Sequence, residues 1–137
     1  MFKVTADTNI YLSALNFGGK PQELLELARA DKIELAISNA IITEISRVLY
    51  NKFSWDRADV AEAVDLLLRF TKYVHPDHRF DVVPADPDDN RVLECAVQAG
   101  SQVIVTGDTH LLMLRKFGSV RIQNVSDFLV AFRASGG

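Results

Sequence analysis

Along this chain the spacing of apolar residues switches repeatedly between strand-like runs and helical stripes, and the switches lay out alternating strands and helices. Residues 2–6 read as a short buried strand ending at Asp7. Residues 8–15 then carry Ile10, Leu12, Ala14 and Leu15 at helical spacing until Gly18 and Gly19 stop the helix. Pro21 suits the first turn of a second helix with Leu24, Leu25, Leu27 and Ala28 as its apolar stripe. A strand over 33–37 follows, and Ser38 is placed to cap a helix over 40–50 whose inner side holds Ile41, Ile42, Ile45, Val48 and Leu49. An amphipathic helix over 56–70, with Trp55 packed at its start, leads to two short extended pieces, 73–75 and 81–83, around a polar loop. The acidic turn 85–89 opens a helix that Gly100 ends, and 102–106 is a β-branched strand running into Gly107 and Asp108. A helix over 109–116, a strand over 120–123 and a helix over 127–132 capped by Ser126 close the chain.

Strands alternating with helices throughout predict an α/β fold with a parallel sheet covered on both faces, and such sheets bind ligands beyond the carboxyl ends of their strands. Asp7 and Asp108 each follow a short strand directly, so they meet at that edge if the two strands are neighbours.

The 137 residues, 48% of them hydrophobic, suit one domain, expected over residues 1–133 with a short flexible tail at 134–137. No apolar run approaches the roughly 20 residues of a bilayer crossing, and the amino terminus lacks the pattern of a secretory signal. The single cysteine, Cys95, falls on the buried side of its helix and cannot form an internal disulfide. A reduced, cytoplasmic setting is expected. The formal charge of −3 does not exclude a nucleic-acid partner, because neutralising four site acids leaves the rest of the chain slightly positive.

Candidate chemistry rests on the carboxylates. Glu44 falls between Ile42 and Ile45 on its helix, placed to reach inward, with Arg47 three residues on as an alternative partner. Asp89 stands at a helix start beside Asp86 and Asp88, where an acid also serves as a cap. Several carboxylates gathered in one cleft repel one another, and a divalent cation relieves the repulsion. All the candidate ligands are oxygens, without Cys or His at zinc spacing, which favours Mg²⁺ or Mn²⁺. Such an ion polarises a phosphoryl oxygen and turns a water into the nucleophile for phosphodiester hydrolysis. Asn9 and Thr106 are secondary polar candidates for holding a water or a phosphate oxygen.

Four segments carry a resemblance. Val4-Thr5-Ala6-Asp7-Thr8-Asn9, Glu44 in a helix after the second strand, Asp86-Pro87-Asp88-Asp89-Asn90 followed by Leu93-Glu94-Cys95-Ala96, and Val105-Thr106-Gly107-Asp108 resemble, in order, the four acidic motifs of the PIN-domain nucleases. The ending, Ile122 and then Ser126-Asp127-Phe128-Leu129, is similar to that family's last strand and helix. The resemblance implies a three-layer, Rossmann-like PIN fold and metal-dependent cleavage of RNA, commonly by the toxin of a VapC-type toxin–antitoxin pair. It further implies a cognate antitoxin and a homodimer, with Asp7, Glu44, Asp89 and Asp108 as the metal-binding, catalytic acids and Asp86 and Asp88 as flanking ligands. Asp89 is chosen within its turn because its spacing to Leu93 and Ala96 fits the family pattern.

A housekeeping RNA-processing nuclease and a catalytically silent PIN-fold interaction domain are the alternatives. Phosphatases of the haloacid-dehalogenase type fit poorly, since they place a second Asp where this chain has Asn9.

Overall fold

The computed structural model describes residues 1–136 of the chain. A six-stranded sheet runs in the order β3-β2-β1-β4-β6-β5 through β1 (Phe2–Ala6), β2 (Ile33–Ser38), β3 (Thr71–Val74), β4 (Val103–Val105), β5 (Lys116–Phe117) and β6 (Val120–Gln123). Every pairing is parallel except β5 with β6. The central strands are short and almost wholly buried, which is why they read as near-continuous apolar runs rather than alternating ones.

Helices α1 (Thr8–Phe17), α2 (Gly19–Arg29), α3 (Asn39–Asn51), α4 (Arg57–Phe70), α5 (Pro87–Ala99), α6 (Thr109–Leu114) and α7 (Val125–Ala134) flank the sheet. Strand β1 shows that both faces are covered. Phe2 packs edge-on against Phe128 of α7, whereas Thr5, pointing the other way by the two-residue period of a strand, lies against Cys95 of α5. Burial there pushes the Cys95 thiol up to about 12, so it stays protonated and behaves as a small apolar group. Leu35, Ile37, Ile45, Leu93 and Ile104 are fully buried in the same core, where truncating any one to alanine costs about 2–5 kcal/mol. Gly100 ends α5 in the left-handed region (φ 66°) that only glycine enters freely, and its N–H closes the last turn.

Several local expectations are corrected. The edge strand is 71–74 rather than 73–75, because it begins where the Thr71 hydroxyl bonds back to Leu67 O and ends α4. Residues 81–83 form no strand: the N–H groups of Val82 and Val83 are both taken by the side-chain oxygen of Asn90. The last helix is capped by Asn124, not Ser126, whose hydroxyl instead accepts from Lys20. The helix expected over 109–116 stops at Leu114, since Lys116 and Phe117 pair with β6 as a hairpin. Helix α7 runs one residue into the expected tail, and Gly137 lies outside the described residues. Among the described residues no helix is long and apolar enough to cross a membrane.

Candidate active site

From β1 the chain builds β2 and β3 on one side and β4, β6 and β5 on the other, so the strand order reverses between β1 and β4. Above the carboxyl ends of two such strands the connections diverge and leave a crevice. Asp7 enters it directly from β1. Its N–H extends the ladder to Val105 O (3.1 Å), and the register of Ala6 with Val105 sets Asp7 beside Thr106.

Asp7 is buried, and both its oxygens are fixed: Oδ1 accepts from the N–H of Ile10, capping α1, and Oδ2 accepts the Thr106 hydroxyl. Capping and a place in the crevice are therefore one role of one side chain, not alternatives. The Thr106 Oγ1 in turn accepts from the N–H of Asp108 (2.9 Å), whose own Oδ1 caps α6 at Leu111 (3.0 Å).

Asp89 arrives from the first turn of α5. Asp86 is the cap of that helix and Pro87 opens it, which leaves Asp89 free of capping, 5% exposed and turned inward. Its Oδ2 is buried with no hydrogen-bond partner. One ligand atom from each of Asp89, Asp108 and His110 lies within 4.8 Å of the others.

The electrostatics follow from this crowding. Burial, then the closeness and charge of the Asp108 carboxylate, then Asp86 and Asp7, push the Asp89 carboxyl up to about 8. Burial lifts Asp7 to about 6 against the opposing bonds from Thr106 and Ile10, with the charge of Asp108 adding to the rise. Burial and like charge are the two influences a bound cation reverses, and an orphaned buried oxygen is a ligand without a partner. The donor set therefore fits a hard divalent ion.

Glu44 stands apart from the Asp89–Asp108–His110 group. Its Oε2 is 2.7 Å from Nη2 of Arg47, on the same helix α3, and Asp88 faces it. Burial first, then the Glu44 charge, raises the Asp88 carboxyl. The acidic turn thus bridges two groups, with Asp89 toward Asp7 and Asp108, and Asp88 toward Glu44. Asn9 is exposed in the first turn of α1.

Three residues escaped sequence reasoning. His110 has one signal, its place two residues after Asp108 in the first turn of α6. Asn90 and Glu94 appear only as part of the acidic motif, and nothing in the sequence signals their anchoring role, because their partners lie in an irregular loop. Asn90 bonds Val82 N, Val83 N and Val83 O, and Glu94 takes the N–H of Phe80, so together they pin the segment that precedes the acidic turn. Arg91 is committed to Glu94 and Phe80 O and is not an open contact for a phosphate.

Comparison with known proteins gives this architecture its place. The sequence profile of the PIN domain matches residues 3–110, a span that takes in all four sequence-derived acids. No curated protein matches the chain. Among solved structures, a chain in the crystal structure of VapBC2 from Rickettsia felis bound to a DNA fragment from their promoter is similar in fold. Its TM-score is 0.65 at 15% identity, over 90% of this chain and 98% of that one. A chain in the structure of VapBC-1 from nontypeable Haemophilus influenzae gives 0.64 at 13% identity, over 91% and 99%. PAE2754 from Pyrobaculum aerophilum gives 0.61 at 18% identity, over 97% and 98%. With the profile match running from β1 into α6, across every strand that borders the crevice, the chain belongs to the PIN domain family.

Proposed function

We propose that this chain is a divalent-metal-dependent ribonuclease and the toxin of a toxin–antitoxin pair. The observation that carries the nuclease reading is the convergence of Asp7, Asp89 and Asp108 from three separate elements on one crevice, with a buried carboxylate oxygen of Asp89 left without a partner.

In this reading Asp7, Asp89 and Asp108 hold Mg²⁺ or Mn²⁺, while Glu44 and Asp88 flank them. The cation supplies charge to a phosphoryl oxygen and acidity to an attacking water. The chain supplies position. Thr106 and the Ile10 N–H fix the Asp7 carboxylate before any ligand arrives, which lowers the cost of ordering it on binding. Asp86 takes over the capping of α5 and so frees Asp89 to face inward.

A cytoplasmic setting accords with the lone buried thiol Cys95. The antitoxin partner is proposed from the two VapBC structures of similar fold, and the homodimer from the family.

Purified protein is expected to cleave single-stranded RNA with Mg²⁺ or Mn²⁺ and to stop when EDTA is added. Cleavage that persists in thorough chelation would refute the metal-dependent reading. Co-expression with the product of the neighbouring gene tests the toxin assignment separately.

A further inference from the structure

The four acids singled out by sequence do not exhaust the donors at the crevice. His110 lies in the first turn of α6, and its Nδ1 is 3.8 Å from Oδ1 of Asp108, too far for a hydrogen bond. The imidazole side chain is 54% exposed, and Asp108 is its one ion-pair contact among the described residues. It is therefore uncommitted, yet one of its nitrogens is within 4.8 Å of ligand atoms from both Asp89 and Asp108. Two donors on one ion at about 2.1 Å each stand at most about 4.2 Å apart. The gap closes with a small side-chain rotation, which an exposed ring makes freely. Independently of the carboxylates' proximity, the buried and unpartnered Oδ2 of Asp89, whose residue is 5% exposed, points to a missing ligand at this place.

We propose that His110 supplies a nitrogen ligand to the divalent cation held by Asp89 and Asp108, making the centre a mixed carboxylate–imidazole site that selects Mn²⁺ over Mg²⁺. The inference rests on the reading above that these aspartates bind a cation. Its chemical basis is ligand type: carboxylate and water suit Mg²⁺ and Mn²⁺ alike, whereas imidazole is a ligand of transition metals. Asp108 and His110 are carried by the same short turn, so the N-cap bond that fixes Asp108 also fixes the origin of the imidazole.

The test is pulsed electron paramagnetic resonance on the full-length protein loaded with Mn²⁺, which detects ¹⁴N coupled to the ion, together with Mn²⁺ and Mg²⁺ binding isotherms. Wild type is expected to show directly coupled ¹⁴N, and His110→Gln to lose it while still binding Mn²⁺ more weakly. Its preference for Mn²⁺ over Mg²⁺ is expected to fall at least about tenfold, the loss typical of partners even one step removed from a metal. Mn²⁺ bound by wild type without coupled nitrogen, or coupling that survives in His110→Gln, would overturn the role of His110. That outcome leaves the carboxylate site standing if Asp89→Asn and Asp108→Asn abolish binding. Binding that is unchanged in those two variants, or absent from wild type, would overturn the site reading and the inference with it.

Discussion

The Thr106 hydroxyl donates to Oδ2 of Asp7 while its oxygen accepts the N–H of Asp108, so one side chain couples the acid after β1 to the acid after β4. Thr106 is itself fully buried, and its bond to Asp7 is buried with it, whereas the bond from Asp108 is part-buried. Replacing Thr106 by valine keeps the shape and removes both bonds, leaving a buried carboxylate and a part-buried N–H short of a partner. The expected cost is about 2–4 kcal/mol in thermal or denaturant unfolding, with Mn²⁺ affinity reduced as Asp7 loses its anchor. Thr106→Ser is expected to retain most of both. An unchanged melting temperature for Thr106→Val would show that the hydroxyl does not organise the pair.

Neutralising the site acids separates function from stability. Asp7→Asn keeps an oxygen to cap α1, and Asp89→Asn removes a charge that burial disfavours. Both are expected to lower metal-dependent RNA cleavage at least ~100-fold, while melting temperatures in EDTA stay level or rise. Asp108→Asn is expected to behave likewise, and the exposed Asp59→Asn on α4 serves as control. Asp7→Ala, by contrast, loses the cap and is expected to cost about 1 kcal/mol. Wild-type cleavage by the Asp7 and Asp108 variants would remove both residues from the site.

The raised carboxyls also set a pH dependence. For Asp7, lifted from 3.8 to about 6, and Asp89, lifted to about 8, folding favours the protonated form. That contribution is complete below about pH 4 and is lost as pH rises through those two values. For Asp7 it amounts to on the order of 3 kcal/mol at most. Metal-free protein is therefore expected to melt at progressively lower temperature from about pH 5 to pH 8, and Mn²⁺ to flatten the decline by binding the ionised acids. A melting temperature in EDTA that holds constant or climbs over this range would contradict the crowding.

Asn90 is expected to govern the segment before the acidic turn. Its buried amide makes three bonds to Val82 and Val83, so Asn90→Ala strands two N–H groups and a carbonyl. Water can reach the partly exposed loop, which holds the loss to about 2–3 kcal/mol. Hydrogen exchange should rise locally over residues 80–86 rather than across the sheet. Uniform protection in the variant would show that Glu94 and Arg91 hold the loop alone.

How much of this was legible beforehand differs from element to element. The alternation of apolar strands and amphipathic helices marked β1, β2, β4 and β6 and most of the helices, because a strand buried on both faces and a helix buried on one carry those periods in the sequence itself. Asp7 and Asp108 were legible as strand-end acids for the same reason. The sequence left open whether β1 and β4 are neighbours, since adjacency is fixed by long-range pairing, and it is the register of Ala6 with Val105 that brings Thr106 against Asp7. Asp89 and Asp86 share one turn, and only the packing of α5 made Asp86 the cap and turned Asp89 inward. Glu44 was placed on its helix correctly, but its pairing with Arg47 and Asp88 depends on how α3 sits against α5. The loop anchors Asn90 and Glu94 and the imidazole of His110 had no periodic signal at all. Periodicity records which face of an element is buried, whereas a site is made where elements distant in the chain meet, and tertiary packing alone decides which side chains share that place.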